Sequence, residues 1–353
     1  MRRSGARCLF AGALALCIGC GGSPPSELFP PVEPTETGYL RVDETHELYW
    51  ETIGNRQGIP VIVLHGGPGG SASPETRRLF DPERFFVLLF DQRGAYRSRP
   101  QGEWRDNTTA HLVEDINRLR DHVGLTGPVL LFGGSWGATL ALAYAEKYPE
   151  RVNGLVLRGV FLGSSEEIDY LYHGGAGAFF PETWERLRNL VPQPDVPDYP
   201  RQLFEMISGG GAKDREAAIE GWAYYEIRMS SLEMTDDRAE QAVRDYHDQL
   251  MPFSLLENYY MMNGCFLDDR QLLDHADRIA DIPTFIVHGR YDAICRPVVA
   301  WSLAQRLDNV ELVFTHAGHS QSDPANTDAL LAGLDWVADR IEADGLRPQI
   351  ADR

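Results

Sequence analysis

The chain has 353 residues, ample for one large domain with a second unit inserted into it. Its 52 acidic against 33 basic side chains give a formal charge of −19, which favours solubility and argues against nucleic acid as a partner. The same acidity suits cationic peptides. No internal repeat is present, and low complexity is confined to the stretch after the leader.

Arg2, Arg3 and Arg7 precede an apolar run from Cys8 to Ile18 that is too short to span a bilayer. Residues 1–19 therefore read as a signal peptide. Cys17-Ile18-Gly19-Cys20 resembles a bacterial lipoprotein box with Cys20 as the lipidated residue, Cys17 standing where leucine is usual. The expected location is the bacterial cell envelope, lipid-anchored on the periplasmic side or secreted, with the membrane met through that anchor only. Residues 20–37 read as a tether, flexible at first and then stiffened by prolines. Removal of the leader takes three arginines with it and makes the chain more acidic still.

Val61-Ile62-Val63-Leu64 reads as a strand and leads into His65-Gly66-Gly67-Pro68-Gly69-Gly70. A glycine run lets the chain turn its amides inward, and Gly67 is the candidate for one backbone donor to an oxyanion. The Gly-Lys-Ser/Thr ending of a phosphate loop is missing. Further on, the apolar run Val129-Leu130-Leu131-Phe132 meets Gly133-Gly134-Ser135-Trp136-Gly137 and then the small-residue helical pattern of residues 138–144. Strand, G-x-S-x-G and helix form the nucleophile elbow of an α/β-hydrolase. Glycines two positions either side of Ser135 are needed where backbone crowds backbone. Ser135 is thus the expected nucleophile, and the N–H of Trp136 supplies the other oxyanion donor.

A strand over Leu155–Phe161 is followed by a long insert, rich in aromatics and charge, from Ser164 to about Arg270. Helical patterning recurs at Glu182–Leu187 and from Asp236 to Gln249. Its position at the carboxyl end of a sheet strand makes it a cap over the active site. After it, the strand opening at Pro283 runs into Arg290-Tyr291-Asp292, and Val310–Phe314 runs into Thr315-His316-Ala317-Gly318-His319. A serine needs a histidine to take its proton and a carboxylate to fix that imidazole, in the chain order Ser, Asp, His. Asp292 and His319 occupy those places. His316 is the rival base, closer to the strand end, and Asp292 has an alternative as a cap for a helix beginning near Pro297.

His65-Gly66-Gly67-Pro68-Gly69-Gly70, Asp91-Gln92-Arg93-Gly94, Gly133-Gly134-Ser135-Trp136-Gly137, Gly289-Arg290-Tyr291-Asp292 and Gly318-His319-Ser320 together resemble the proline iminopeptidase (prolyl aminopeptidase) family. The resemblance runs from about Gly38 to about Ile341. In the insert, Trp222-Ala223-Tyr224-Tyr225-Glu226 and Glu257-Asn258-Tyr259-Tyr260-Met261 are similar to that family's cap motifs. The resemblance implies that Glu226 and Glu257 bind the free amino terminus of a peptide, and that Phe161 lines the proline pocket. An exopeptidase must tell a chain end from a chain middle, and one ammonium is the difference; paired carboxylates supply charge and acceptors for it. Departures occur at Tyr96, where a glycine is usual, at Tyr170-Leu171-Tyr172-His173 for Trp-Phe-Tyr-Gln, and at Tyr225 and Met261 for Trp and Phe. They bear on strictness for proline, not on the Ser-Asp-His machinery.

The expected architecture is an α/β-hydrolase fold, a mostly parallel doubly wound sheet with a helical cap. Residues 38–163 and 271–345 form the core, 164–270 the cap and 346–353 a tail. The expected activity is that of a serine aminopeptidase acting on peptides with a free N-terminus, preferentially at proline, without a cofactor. The alternatives are an esterase or amidase of the same fold and a catalytically idle binding protein. His316-x-x-His319 lacks a third ligand nearby, so no metal is expected. Of five cysteines, Cys265 and Cys295 lie beyond the leader, and spacing leaves their pairing open.

Overall fold

The computed structural model describes residues 27–343 and 345. The leader, Cys20 and the tail expected at 346–353 lie outside the described residues. Eight strands, β1 (Glu36–Arg41), β2 (Glu47–Gly54), β3 (Ile59–Leu64), β4 (Phe85–Phe90), β5 (Val129–Gly134), β6 (Val152–Arg158), β7 (Thr284–Gly289) and β8 (Val310–Thr315), form one sheet. Their order is β1-β2-β4-β3-β5-β6-β7-β8. β1 and β2 pair antiparallel, as do β2 and β4, and the remaining pairings are parallel. That is the doubly wound sheet expected, with an antiparallel edge.

The parallel strands are apolar runs because helices cover both faces. Every residue of β3, β4, β5 and β7 is buried. Successive side chains alternate between two layers. Val61, Val63, Leu130, Phe132 and Val287 pack with Leu334 and Val337 on one side, and Ile62, Leu64, Leu131, Leu157 and Ile286 pack with Ile116 and Leu140 on the other. The helices of the core are α1 (Pro74–Arg77), α2 (Thr109–Val123) and α3 (Trp136–Lys147) before the insert. After the insert come α10 (Gln271–Asp274), α11 (Pro297–Ala304) and α12 (Pro324–Ala343).

Between β6 and β7 stand α4 (Ser165–Tyr172), α5 (Pro181–Arg188), α6 (Tyr199–Gly209), α7 (Ala212–Met229), α8 (Asp236–Asp245) and α9 (His247–Met262). Ser164 caps α4 and Glu167 reaches back to it in a reciprocal capping box, so the helical insert starts on a local signal. The helix expected from Asp236 to Gln249 is two, broken at Tyr246, which leaves helical geometry at φ −103° and ψ 16°. The strand expected over Leu155–Phe161 ends at Arg158, because Gly159 turns to φ +53°. The stretch expected as a tether over 20–37 is described from Glu27, and it is already docked there. Leu28 and Val32 pack on the core, the Phe29 N–H donates to the Arg78 carbonyl at 2.9 Å, and β1 begins at Glu36. No helix among the described residues is long and apolar enough to cross a membrane.

Candidate active site

Ser135 follows β5 directly and holds φ 58° and ψ −127°, a region that side chains rarely occupy. The surrounding backbone keeps it there. Its N–H donates to the Arg158 carbonyl at the end of the neighbouring β6 (2.8 Å), and its carbonyl accepts from the Ala138 N–H in the first turn of α3 (2.8 Å). A Cβ on Gly133 would stand 2.2 Å from the Gly137 carbonyl, and one on Gly137 would stand 2.0 Å from the Leu64 carbonyl. Both flanking glycines are therefore obligatory for packing.

Asp292 and His319 come from the loops after β7 and β8. His319 Nδ1 lies 2.7 Å from Asp292 Oδ2. Asp292 Oδ1 accepts from the N–H groups of Ile294 (3.0 Å) and Cys295 (2.8 Å). Burial pushes the Asp292 carboxyl up, but His319, His288 and the Cys295 amide outweigh it and hold the group below its ordinary range. Asp292 does not cap α11, whose N-cap position is Arg296. His316 is exposed with its ring 5.0 Å from Tyr291, away from Asp292's contacts. Ser135 is bonded to Arg158, and the His319 ring lies against the next residue, Gly159. A Cβ there would lie 2.9 Å from the ring and 3.4 Å from Asp292 Oδ2.

Gly67 has φ +108°, and a Cβ on it would stand 2.8 Å from the amides of Gly69 and Gly70. The loop is pinned by a chain of polar bonds. The Gln92 N–H donates to His65 Nε2 (2.9 Å), Gln92 Nε2 donates to the His65 carbonyl (2.9 Å), and Trp136 Nε1 donates to Gln92 Oε1 (2.9 Å). Gln92 thus ties the Gly67 loop to the residue after Ser135. Within the same motif, Arg93 and Asp91 are scaffold. Arg93 Nη2 donates to Asp115 (2.8 Å), while Asp91 accepts from the Ala72 N–H (2.7 Å) and from Arg97 Nε (2.7 Å). Tyr96 avoids a positive φ, and its ring is half-buried beside Arg97, whose guanidinium carbon is 5.9 Å away.

The cap brings α7 and α9 over this floor. Gly67, Ser135, Phe161, Glu226, Glu257, Leu171, Met261, Ile294, Cys295 and Glu167 line one narrow cavity. Glu257 is buried, and its Oε2 accepts from Trp222 Nε1 at 2.8 Å. Trp222 is itself stacked on Tyr172, with ring centroids 4.5 Å apart. Glu226 and Glu257 share a hydrogen bond. Burial pushes Glu226 up to about 7, and burial together with the neighbouring carboxyl pushes Glu257 up well above the carboxylate range. Two acidic groups in that relation hold a proton between them at neutral pH. Among the described residues, the cavity contains no triple of His, Cys, Asp or Glu spaced for a metal.

A family model for the alpha/beta hydrolase fold matches residues 59–324. A proline iminopeptidase of Xylella fastidiosa is 42% identical, with 87% of this chain and 98% of that protein covered. One of Arabidopsis thaliana is 40% identical, with 90% and 88% covered. The chain belongs to the proline iminopeptidase family of α/β-hydrolases. Among solved structures, an alpha/beta hydrolase from a Medee basin deep-sea metagenome library shares the fold at a TM-score of 0.59 and 17% identity over 85% of this chain and 96% of that one. A proline iminopeptidase-related protein of Thermus thermophilus does so at 0.56 and 22% over 86% and 98%.

Several residues of this family member gain a place at the site only in three dimensions. Arg158 Nη1 donates to the His319 carbonyl at 2.8 Å. Asp323 accepts from the Gly318 N–H at 2.7 Å, and Asn326 donates to the Ser320 carbonyl at 2.8 Å, so the His319 loop is held from α12. Glu167 is buried at the cavity wall and accepts from the N–H groups of Leu162 (3.1 Å) and Ser164 (3.2 Å), fixing the backbone that follows Phe161. For Glu167 the Ser-x-x-Glu capping pattern was an available signal; the others carry no local one. Of the positions that depart from the family pattern, Leu171 and Met261 line the cavity, whereas Tyr225 donates its hydroxyl to the Leu171 carbonyl at 2.8 Å. Cys265 and Cys295 are both free, buried thiols.

Proposed function

We propose that this protein is a serine aminopeptidase that releases an N-terminal residue, preferentially proline, from peptides. The observation that carries the reading is one cavity lined both by Ser135 and by the hydrogen-bonded pair of Glu226 and Glu257. Ser135 attacks the first peptide carbonyl while His319 takes its proton through Nε2, and Asp292 keeps the imidazole in the Nδ1–H form. The developing oxyanion is met by the amides of Trp136 and Gly67. His319 then returns the proton to the leaving amine, and water repeats the sequence on the acyl-enzyme.

Glu226 and Glu257 receive the substrate's ammonium, and the proton they share leaves as it binds. Phe161 forms part of the apolar wall beside the first residue. Leu171 and Met261, flexible and aliphatic, make that wall more adaptable than aromatic rings would, so the preference for proline is graded. Supporting the peptide reading, relatives of Xanthomonas citri and Xylella fastidiosa, each 42% identical, are proline iminopeptidases.

Hydrolysis of proline anilide beside its N-acetylated form tests the reading, with a short acyl ester in parallel. Cleavage of the free amine alone is the expected outcome; equal cleavage of the blocked anilide, or of the ester only, would overturn it. The same proposal places the mature chain in the bacterial envelope, lipid-anchored through Cys20. Cys20→Ala is expected to move the protein from the membrane to the soluble fraction; an unchanged distribution would remove the anchor.

A further inference from the structure

We propose that the outer face of the cap carries a divalent transition-metal site, fitted to Zn²⁺, formed by Glu216 and Glu220 of α7 and His247 at the start of α9. One donor atom from each residue lies within 4.8 Å of the other two, and His247 Nδ1 is 3.6 Å from a Glu216 carboxylate oxygen. Tetrahedral Zn²⁺ with bonds of about 2.0–2.1 Å sets its donors roughly 3.3 Å apart. The site therefore closes with side-chain rotations of about 1 Å, and all three residues are exposed and free to make them.

What separates this group from an ordinary acidic surface is the imidazole, which comes from a different helix. Two carboxylates and one imidazole suit Zn²⁺ and its transition-metal neighbours, whereas Ca²⁺ and Mg²⁺ prefer all-oxygen shells. Neither glutamate has a lysine or arginine ion pair among the described residues; by contrast Glu240, also on the cap surface, is paired with Arg186 and Arg244. The metal would meet carboxylates that no lysine or arginine neutralises, and water completes its fourth position.

The placement gives the site a structural consequence. α7 also carries Trp222 and Glu226, and α9 carries Glu257. A metal joining Glu216 and Glu220 to His247 braces the two helices that hold the pair Glu226 and Glu257 together.

The test uses the whole protein, stripped with a chelator and titrated with Zn²⁺ by calorimetry and with Co²⁺ by absorption spectroscopy. One equivalent of Zn²⁺ is expected to bind in the micromolar range and, at a hundredfold excess over Kd, to raise the thermal midpoint by about 4 °C. His247→Ala, and separately the double variant Glu216→Gln with Glu220→Gln, should weaken binding by tenfold or more and abolish the thermal shift. All three side chains are exposed, so these variants keep the fold, which circular dichroism verifies. His319→Ala should leave the titration intact, which separates this site from metal captured at the active-site imidazole. Absence of binding at millimolar Zn²⁺, or a titration unchanged in His247→Ala, would overturn the proposal.

Discussion

Ser135 is held at a positive φ that costs about 1–3 kcal/mol, and it is one of five non-glycine residues among those described with that geometry. The strain is offset by the bonds to Arg158 and Ala138 and by the absence of side chains at Gly133 and Gly137. Ser135→Ala should keep the fold and lower kcat/KM for proline anilide by about 10⁴-fold or more; purified variant with wild-type turnover would remove Ser135 from the mechanism. The role proposed for Glu226 is in binding instead. Glu226→Gln removes one charged acceptor, worth about 1.5–3 kcal/mol, so KM for free-amine substrates should rise roughly 10- to 100-fold while turnover of bound substrate changes less. Because burial pushes Glu226 up to about 7, lowering the pH through that value loads the pair with protons the ammonium must displace. KM in the wild type is then expected to climb as pH falls from 8 to 6, a steady-state measurement that a bland surface glutamate would leave flat.

At the scale of elements, Ser135, Asp292 and His319, the groups proposed to react, each sit where a strand ends, and the loops that follow are locked to one another across the sheet. Gly159 is the joint that faces the imidazole. It turns β6 away at φ +53° and leaves the space that the His319 ring fills. Gly159→Ala should fold, with a stability loss of about 1–3 kcal/mol from the positive φ, and should lower kcat by tenfold or more as the imidazole is displaced; retention of full kcat would show that the joint has slack. Gln92, Arg158, Asp323 and Asn326 do the corresponding locking elsewhere. The roles of Gln92 and Arg158 were not legible in the sequence, because each side chain crosses to a loop remote in the chain, and those of Asp323 and Asn326 depend on how the short turn after His319 folds back on itself. Ser135, Asp292 and His319 were legible as positions for the opposite reason. A G-x-S-x-G between an apolar run and a helical pattern, and an acid and a histidine just past later strands, are local patterns, and fold order relates them.

For the whole molecule, placing two hydrogen-bonded carboxyls under the cap, Glu257 buried and Glu226 partly so, couples function to stability. Both groups are raised above their unfolded range near 4.5, so the folded state binds more protons than the unfolded one between that value and neutrality. The contribution of Glu226 is fully present below about pH 4.5 and is lost as pH rises through 7; that of Glu257, raised further, is lost at higher pH. Denaturant unfolding of Glu226→Gln, which cannot ionise, should show a flatter fall in stability from pH 5 to 8 than the wild type; identical slopes would mean the pair is hydrated. The sequence alone determined the strand-helix alternation, the sheet's two-sided burial, the elbow and the order of Ser135, Asp292 and His319, since apolar periodicity and turn chemistry are local properties. It left the break at Tyr246, the docking of Leu28 and Val32, the end of β6 at Gly159 and the free state of Cys265 and Cys295 undecided. The tertiary structure alone decided which side chains meet in the cavity. The closeness of Glu226 to Glu257, and of both to Ser135, arises from packing the insert back onto the sheet, and no local pattern encodes that distance.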